Sequence, residues 1–199
     1  RFWPEYEALV ALVHSGKLGK PLSAIASRLS VVPGWADWFS DPALSGGALL
    51  DLMIHDFDAL NWVMGTPLSV YSRGHEAKPG LWNDVHALVD YGSGHAFVEG
   101  SEMMPTGYPF TCALKVLCEG GSLEFRFRAG GVSVEEGGGS QLTVYESGRS
   151  YHPEVPAGDA YERQVAYFIE CAQHNSAPVR SSAVGARLAV VGAERGADL

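Results

Sequence analysis

The chain has 199 residues, of which 46% are hydrophobic and 19% charged, and its formal net charge at pH 7 is −9. This composition is typical of one globular domain with enough apolar side chains to bury a core. Nucleic acids and anionic membrane surfaces are bound through clustered Lys and Arg, so an acidic chain with 14 scattered basic residues argues against both classes of partner.

The sequence contains no apolar run of membrane-spanning length and no recognisable signal peptide. Its three cysteines, Cys112, Cys118 and Cys171, lack zinc-type spacing, which favours reduced, buried thiols in a cytoplasmic protein over a redox role. The first residue is Arg1 rather than Met, and a helical pattern follows almost at once. This start favours the interpretation that the sequence is a fragment of a longer protein.

In chain order, the pattern predicts a helix, a strand, a loop and a second helix. Residues 4–14 repeat apolar side chains at helical spacing and are followed by Gly16, while 22–32 are rich in β-formers and predict a strand. Residues 33–45 predict a loop that carries three aromatic side chains, Trp35, Trp38 and Phe39. The second helix is predicted from the glycine pair at 46–47 to about residue 64.

The rest of the chain alternates short strands with glycine-rich turns and ends in helices. Strands are predicted over 68–75, 84–91, 94–102, 110–118, 121–128, 131–135 and 141–146, and helices over 159–173 and 182–195. Short glycine-rich links favour hairpins, so the sheet should be mainly antiparallel. We therefore predict an α+β fold, with an open, mainly antiparallel sheet and helices packed on one face.

The second predicted helix carries the residues best suited to catalysis. Asp51, His55 and Asp58 are spaced four and three apart, which places them on one face of a helix. The remaining positions are almost all apolar and predict burial, where a carboxylate or imidazole is costly unless it is paired or used. A His beside a carboxylate can transfer protons near neutral pH. The glycine pair at 46–47 would let another group approach the helix start closely.

Two other interpretations of these residues stay open. In the first, Asp51 and His55 form a purely structural pair, hydrogen bonded to each other and to nearby backbone. A metal-dependent hydrolase would use His55 with Asp51, Asp56 and His86, but the sequence lacks clustered metal-ligand spacing. The dinucleotide motif G-x-G-x-x-G, the phosphate-binding loop and the G-x-S-x-G elbow are also missing. We therefore predict a proton-transfer site, no metal and no cofactor motif in this sequence.

The central motif resembles one known family. The pattern G-G-x-x-x-D-x-x-x-H-D over residues 46–56, followed by Asp58 and Gly65, is similar to the Gfo/Idh/MocA family of glucose–fructose oxidoreductases, inositol dehydrogenases and rhizopine-catabolism proteins. Three flanking segments agree, at residues 1–21, 118–123 and 160–168. The resemblance covers essentially the whole chain and corresponds to the family's C-terminal domain, which has the fold of the glyceraldehyde-3-phosphate dehydrogenase C-terminal domain.

The resemblance implies a two-domain oxidoreductase whose Rossmann domain, not found in this sequence, binds NAD or NADP. It implies hydride transfer to or from a sugar, a polyol or a related hydroxy compound, with His55 as the acid/base and Asp51 orienting the substrate and the imidazole. The family's E-K-P motif, which belongs to the other domain, does not occur here. The resemblance also implies a homodimer or homotetramer through the open sheet face. The fragment alone is expected to be inactive.

Further substrate contacts are predicted outside the motif, at Trp38, Arg28 and Tyr161. Trp38 and its aromatic neighbours can stack on a sugar ring, while Arg28 on the first strand and Tyr161 on the late helix would reach the site; packing and solvent exposure are the alternatives. Met53 stands where the family commonly has Gly, and we expect it to narrow the pocket beside His55. The alternative function is a non-catalytic binding or oligomerisation module of the same fold.

Overall fold

The computed structural model describes residues 1–132 and 137–197. The helices are α1 (Pro4–His14), α2 (Ala48–Asp51), α3 (Met53–Met64), α4 (Ala160–Gln173) and α5 (Ala183–Ala197). The strands are β1 (Pro21–Leu29), β2 (Ser69–Lys78), β3 (Leu81–Asp90), β4 (His95–Ser101), β5 (Thr111–Cys118), β6 (Gly121–Ala129), β7 (Gly138–Glu146) and β8 (Arg149–Tyr151). None of the helices in the described residues is long and apolar enough to cross a membrane.

The strands form one eight-stranded sheet in the order β2-β3-β4-β1-β5-β6-β7-β8. Every neighbouring pair is antiparallel except β1 and β4, which run parallel with Ile25 opposite Phe97. The β2–β4 meander therefore joins the sheet on one side of β1 and the β5–β8 meander on the other. The prediction of an open, mainly antiparallel sheet is confirmed, with the parallel pair at its centre.

One face of the sheet is covered by helices and the other is open. On β1 the side chains alternate, so that Ala24, Ala26 and Arg28 are buried under the helices whereas Ile25 is 41% exposed. Helix α3 packs on β1 and β4, and α1 packs on β6 and β7. The predicted α+β fold, with its helices on one face, is thereby confirmed.

Small residues let α3 approach the sheet closely. A Cβ atom added to Gly100 on β4 would lie only 2.1 Å from Cγ of Met53, which is fully buried. Met53 thus fills the space between α3 and the sheet. The expectation that Met53 narrows a pocket beside His55 is wrong, because its side chain points into the core.

The predicted second helix is interrupted. Helix α2 ends at Asp51 and α3 begins at Met53, with Leu52 between them at φ −100° and ψ −58°. The backbone N–H of His55 donates to Leu52 O, three residues back, instead of to the residue four back, which marks a tighter turn. Asp51 and His55 therefore do not keep the spacing of one continuous helix.

Other element boundaries differ modestly from the predictions. Strand β3 begins at Leu81, and β8 was not predicted because a three-residue strand leaves too short a pattern to detect. Part of the predicted strand 131–135 lies outside the described residues. The three cysteines are free and buried, as the sequence predicted.

Candidate functional site

A cavity of about 170 Å³ lies between the start of α1, α3 and α4. Among its lining residues are three that the sequence singled out, namely His55 on α3, Arg28 on β1 and Tyr161 on α4. Tyr6, Asp58 and Trp62 also line it. The fold thus brings together residues that are more than a hundred positions apart in the sequence.

His55 presents its ring to this cavity. The side chain is exposed on one side, and its ring makes no hydrogen bond within the described part of the chain. The surrounding protein lowers the pKa of His55 from 6.5 to about 4, first through burial and then through the positive charge of Arg28. A lowered pKa favours a neutral imidazole at pH 7. A neutral imidazole can accept a proton.

Arg28 and Asp56 form a buried ion pair behind His55. Nε and one terminal nitrogen of Arg28 donate to the two carboxylate oxygens of Asp56 at 2.9 and 3.0 Å, and the same terminal nitrogen lies 3.4 Å from the hydroxyl of Tyr6. Asp56 is 0% exposed and Arg28 7%. Two of the three guanidinium nitrogens therefore donate to Asp56, which leaves Arg28 little capacity to bind a substrate directly. Its clearest effect on the cavity is electrostatic.

Burial shifts the pKa values of Arg28 and Asp56 in opposite directions. Burial would lower the pKa of Arg28, but Asp56 and Tyr6 outweigh it and the net shift is upward. Burial raises the pKa of Asp56, and Arg28 opposes that rise. Two near-parallel N–H···O contacts below about 3 Å are the geometry of an ion pair, so we treat both groups as charged at pH 7.

Asp51 does not meet His55. Burial first, and the charge of Asp51 second, raise the pKa of Glu102, the residue that directly follows β4, to about 8. No hydrogen bond joins Asp51 to His55 in the described residues, so the structure does not support their interpretation as a hydrogen-bonded structural pair. The two residues lie on either side of Leu52, where the helix is interrupted.

Asp58, the third member of the predicted polar face, is also engaged elsewhere. Its two carboxylate oxygens accept from Nε and Nη2 of Arg1, each at 2.8 Å. Asp58 does lie on the cavity wall near His55, and its charge favours protonation of the ring. Of the predicted polar face, His55 and Asp58 share one cavity and Asp51 lies apart.

The aromatic loop forms its own cluster away from the cavity. Trp38 stacks on Phe39 with ring centroids 3.8 Å apart, and Trp35 meets Phe39 edge-on at 4.6 Å. Phe39 is 3% exposed and anchors the group, whereas Trp35 is 77% exposed and Trp38 40%. None of the three lines the cavity that holds His55. Phe39 covers one face of Trp38, and Trp35 lies edge-on to the Trp38 ring at 6.3 Å.

The proposed metal ligands are dispersed. His86 lies on the open face of the sheet, 3.8 Å from Asp84, and Asp56 is held by Arg28. The described residues contain no group of three or more His, Cys, Asp or Glu side chains arranged to hold a metal ion. The structure therefore gives no geometric support to the metal-dependent hydrolase.

The glycine pair at 46–47 serves a contact inside the chain. Gly47 has φ +64°, and a Cβ atom there would lie 2.5 Å from the backbone oxygen of Trp82. The close approach predicted from this pair is thus made by β3 and not by a cofactor. Among the described residues, no strand–glycine loop–helix unit of the dinucleotide-binding type is present.

Sequence reasoning missed Glu102, Asn83 and the partnership of Asp56 with Arg28. Glu102 and Asn83 are buried and hydrogen bonded to each other at 2.8 Å. Their only sequence signal was a charged or polar residue at an inward position of a strand or just after one. Such a residue needs a partner, but spacing alone does not identify it.

Comparison with known proteins finds a matching family model and similar dehydrogenases. The model of the GFO/IDH/MocA C-terminal domain matches residues 6–124. Inositol 2-dehydrogenase of Streptomyces avermitilis is 26% identical over 176 residues, which cover 85% of this chain and 47% of the relative. D-xylose 1-dehydrogenase (NADP(+)) 2 of Haloferax volcanii is 28% identical over 181 residues, or 89% and 53%. The chain thus spans about half the length of these curated relatives.

A solved structure has the same fold as this chain. Aldose-aldose oxidoreductase from Caulobacter crescentus, complexed with glycerol, superposes with a TM-score of 0.80 at 18% identity. The match covers 100% of this chain and 59% of that one. At this identity the likeness shows the fold alone.

Proposed function

Because the chain belongs to the GFO/IDH/MocA family as a C-terminal domain, we propose that it is the substrate-side domain of an NAD(P)-dependent oxidoreductase. The family resemblance drawn from residues 46–56 is thereby confirmed. The proposed reaction is hydride transfer to or from a sugar, a polyol or a related hydroxy compound, with proton transfer by this chain. The names of two relatives, which refer to inositol and D-xylose, support that substrate class.

The observation that carries the proposal is His55. Burial and the charge of Arg28 favour its neutral imidazole at pH 7. The ring is free of hydrogen bonds to the described residues and open to a cavity that also holds Tyr161 and Asp58. A neutral imidazole can take the proton of a substrate hydroxyl while the carbon that bears it loses a hydride. Asp58 stabilises the imidazolium that results, and Arg28 disfavours it, so the ring can return its proton readily. Both effects keep His55 suited to reversible proton transfer.

The nicotinamide, when bound, would supply the hydride acceptor or donor. This chain does not fit a dinucleotide by itself, because its glycine pair packs on Trp82 and its sequence contains no G-x-G-x-x-G. NAD or NADP would therefore be held mainly by residues outside this sequence. The name of the Haloferax relative specifies NADP(+), and that choice belongs to the relative.

The other predicted contacts take separate roles in the proposal. Asp51, half-buried and apart from His55, would accept a hydrogen bond from a substrate hydroxyl. Tyr161 would contact the substrate within the cavity, and Arg28 would act on the site mainly through its charge. Trp38, outside the cavity, would contact only a part of the substrate that extends beyond it.

The test is replacement of His55 in a protein that joins this chain to its nucleotide-binding domain. NAD(P)H formation would be followed with a panel of sugars and polyols for His55→Ala and for the matched control His95→Gln, whose side chain is exposed at the start of β4. Loss of general acid/base catalysis typically lowers kcat by about 10²–10⁴-fold. We expect that loss for His55→Ala and no change for the control. Turnover by His55→Ala within about threefold of the unmodified protein would contradict the proposal and favour the non-catalytic module.

We also propose that copies of the chain associate through the open face of the sheet, as a homodimer or homotetramer. Ile25, Leu88 and Phe97 are 41%, 50% and 38% exposed on this face, and Ile25 and Phe97 are adjacent in register. Uncovered apolar side chains on a flat surface are typical of interfaces. Phe97→Glu should lower the mass measured by light scattering, while Val165→Glu, at an exposed position on α4, should leave it unchanged. An unmodified chain that is monomeric at high concentration would refute this assembly.

A cytoplasmic location is part of the same proposal. It is supported by three free, buried cysteines, because a reducing compartment keeps such thiols unpaired. Fractionation of cells that produce the natural protein tests it, and recovery outside the cytoplasm would overturn it.

A further inference from the structure

We propose that the outward face of α4 is the surface on which the nucleotide-binding domain of the intact protein docks, beside the cavity of His55. This inference rests on the proposed function, because that function requires a second domain to carry the nicotinamide. The docking surface is defined by four exposed apolar side chains of α4, Tyr161, Val165, Phe168 and Ile169.

The apolar side of α4 faces solvent, which reverses the usual orientation of a helix on a globular domain. Its four side chains follow one another at steps of four, three and one residues, so they lie on one side of the helix. Tyr161 is 69% exposed, Val165 57%, Phe168 66% and Ile169 47%. A contiguous exposed apolar surface of this kind is typical of an interaction site.

The opposite side of α4 is fixed to α1 and to the start of the chain. Arg163 forms an ion pair with Glu7 on α1, and the ring centroid of Tyr167 lies 5.3 Å from that of Phe2. Cys171 is the single buried residue of this helix. Because these contacts set the rotation of α4 about its axis, the docking surface cannot turn inward without breaking them.

The docking surface begins at the cavity that holds His55. Ala160, Tyr161 and Gln164, in the first turns of α4, line this cavity, so Tyr161 belongs to both. Hydride transfer needs the nicotinamide and the substrate carbon in contact, at about 3–3.5 Å between reacting atoms. The domain that carries the nicotinamide must therefore lie against the rim of the cavity, where α4 forms one wall.

A second copy of this chain is the alternative occupant. The surface proposed for association of copies lies on the open face of the sheet, around Ile25 and Phe97, whereas α4 packs on α1 on the other side. Both surfaces can therefore be occupied at once. The chain spans about half the length of its curated relatives, so each relative has a further segment of comparable size that can cover α4.

The first test measures access to the docking surface in the protein that carries the nucleotide-binding domain. Val165→Cys and the control Leu68→Cys, at a position 63% exposed just before β2, would be labelled with a maleimide under native conditions. Peptide mass spectrometry would follow each introduced thiol. A covered thiol reacts slowly, so we expect Val165→Cys to be labelled about tenfold or more slowly than Leu68→Cys. Labelling rates within about twofold of each other would overturn the proposal.

The second test identifies what covers the surface. A benzophenone maleimide on Val165→Cys would be photo-cross-linked in a mixture of ¹⁵N-labelled and unlabelled protein, and the joined peptides would be identified by mass spectrometry. We expect the main product to join residue 165 to the nucleotide-binding domain of the same molecule. A main product between two molecules, or within residues 1–199, would overturn the proposal.

The third test measures the effect of docking on the reaction. Phe168 does not line the cavity of His55, so Phe168→Glu leaves the cavity walls unchanged but places a charge within the docking surface. We expect kcat/KM for the nucleotide to fall about tenfold or more in Phe168→Glu and to stay within about twofold in Leu68→Glu. An equal effect in the two variants would overturn the proposal.

The outcomes separate this proposal from the proposed function. Labelling and cross-linking need no turnover, so failure of the His55 experiment would refute the proposed function and leave their results standing. Conversely, loss of turnover in His55→Ala together with rapid labelling of Val165→Cys would refute only the docking surface.

Discussion

Removal of the Arg28 guanidinium should lower the domain's free energy of unfolding by a large fraction. In Arg28→Met the side chain keeps similar length and apolar bulk, but the carboxylate of Asp56 loses both donors, which lie at 2.9 and 3.0 Å. Asp56 is 0% exposed, so water cannot replace them. Breaking one side of a buried ion pair costs about 3–5 kcal/mol. Since domains are stable by about 5–15 kcal/mol, the loss is a large fraction of the total.

A double variant distinguishes this reasoning from a simple loss of packing. Arg28→Met combined with Asp56→Leu removes both charges and replaces them with apolar side chains. Such replacements of buried pairs are often neutral or stabilising, so the double variant should be more stable than Arg28→Met alone. The two single effects should therefore be strongly non-additive.

The assay is urea unfolding followed by tryptophan fluorescence at pH 7 and at pH 5. At pH 5 the gap between Arg28→Met and the unmodified chain should narrow, because burial raises the pKa of Asp56 and, without Arg28, nothing opposes it. A group whose pKa is raised by folding stabilises the folded state most when it is protonated, at low pH. A loss below 1 kcal/mol for Arg28→Met, or a double variant no more stable than this single variant, would refute the reasoning.

Three further predictions concern a helix cap, a glycine and pH. Asp159 accepts from two backbone N–H groups in the first turn of α4, at 2.8 and 3.1 Å, so Asp159→Ala should cost about 0.5–2 kcal/mol in urea unfolding, and no loss would contradict the cap. Gly47→Ala should destabilise more than Gly16→Ala, because both have positive φ but only Gly47 has a backbone atom, of Trp82, in the way; equal losses in thermal unfolding would contradict this. Because folding lowers the pKa of His55 from 6.5 to about 4, its contribution to stability is present above pH 6.5 and is lost as pH falls toward 4. Unfolding midpoints of His55→Gln should therefore decline less between pH 7 and pH 5, and an identical decline would argue against a lowered pKa.

The sequence predicted those features that depend on neighbours along the chain. Helix α4 is bounded by Asp159 at its start and was placed within a residue of its observed limits. The alternation of apolar residues in β3 and β5 marked strands with one buried face, and glycine turns indicated the hairpins. These signals are local, since periodicity and turn chemistry are set within a few residues.

The candidate site was predictable only in part. The motif at 46–56 identified His55, and its resemblance to a family indicated the reaction class. The spacing also suggested that Asp51 and His55 share a helix face, which failed at Leu52, where the helix is interrupted. No local pattern distinguishes an uninterrupted helix from two short ones here, because residues 48–64 contain no Gly or Pro to mark the break.

By itself, then, the sequence determined the order of helices and strands, the α+β class and the presence of an ionisable His on a buried helix. The tertiary structure alone decided which polar groups meet. It pairs Arg28 with Asp56 across 28 positions and Asn83 with Glu102 across 19, and it brings Tyr161 to the cavity of His55. The physical reason is that a buried charge must find a partner wherever the sheet register and helix packing place one. That choice depends on three-dimensional proximity, which spacing along the chain does not encode.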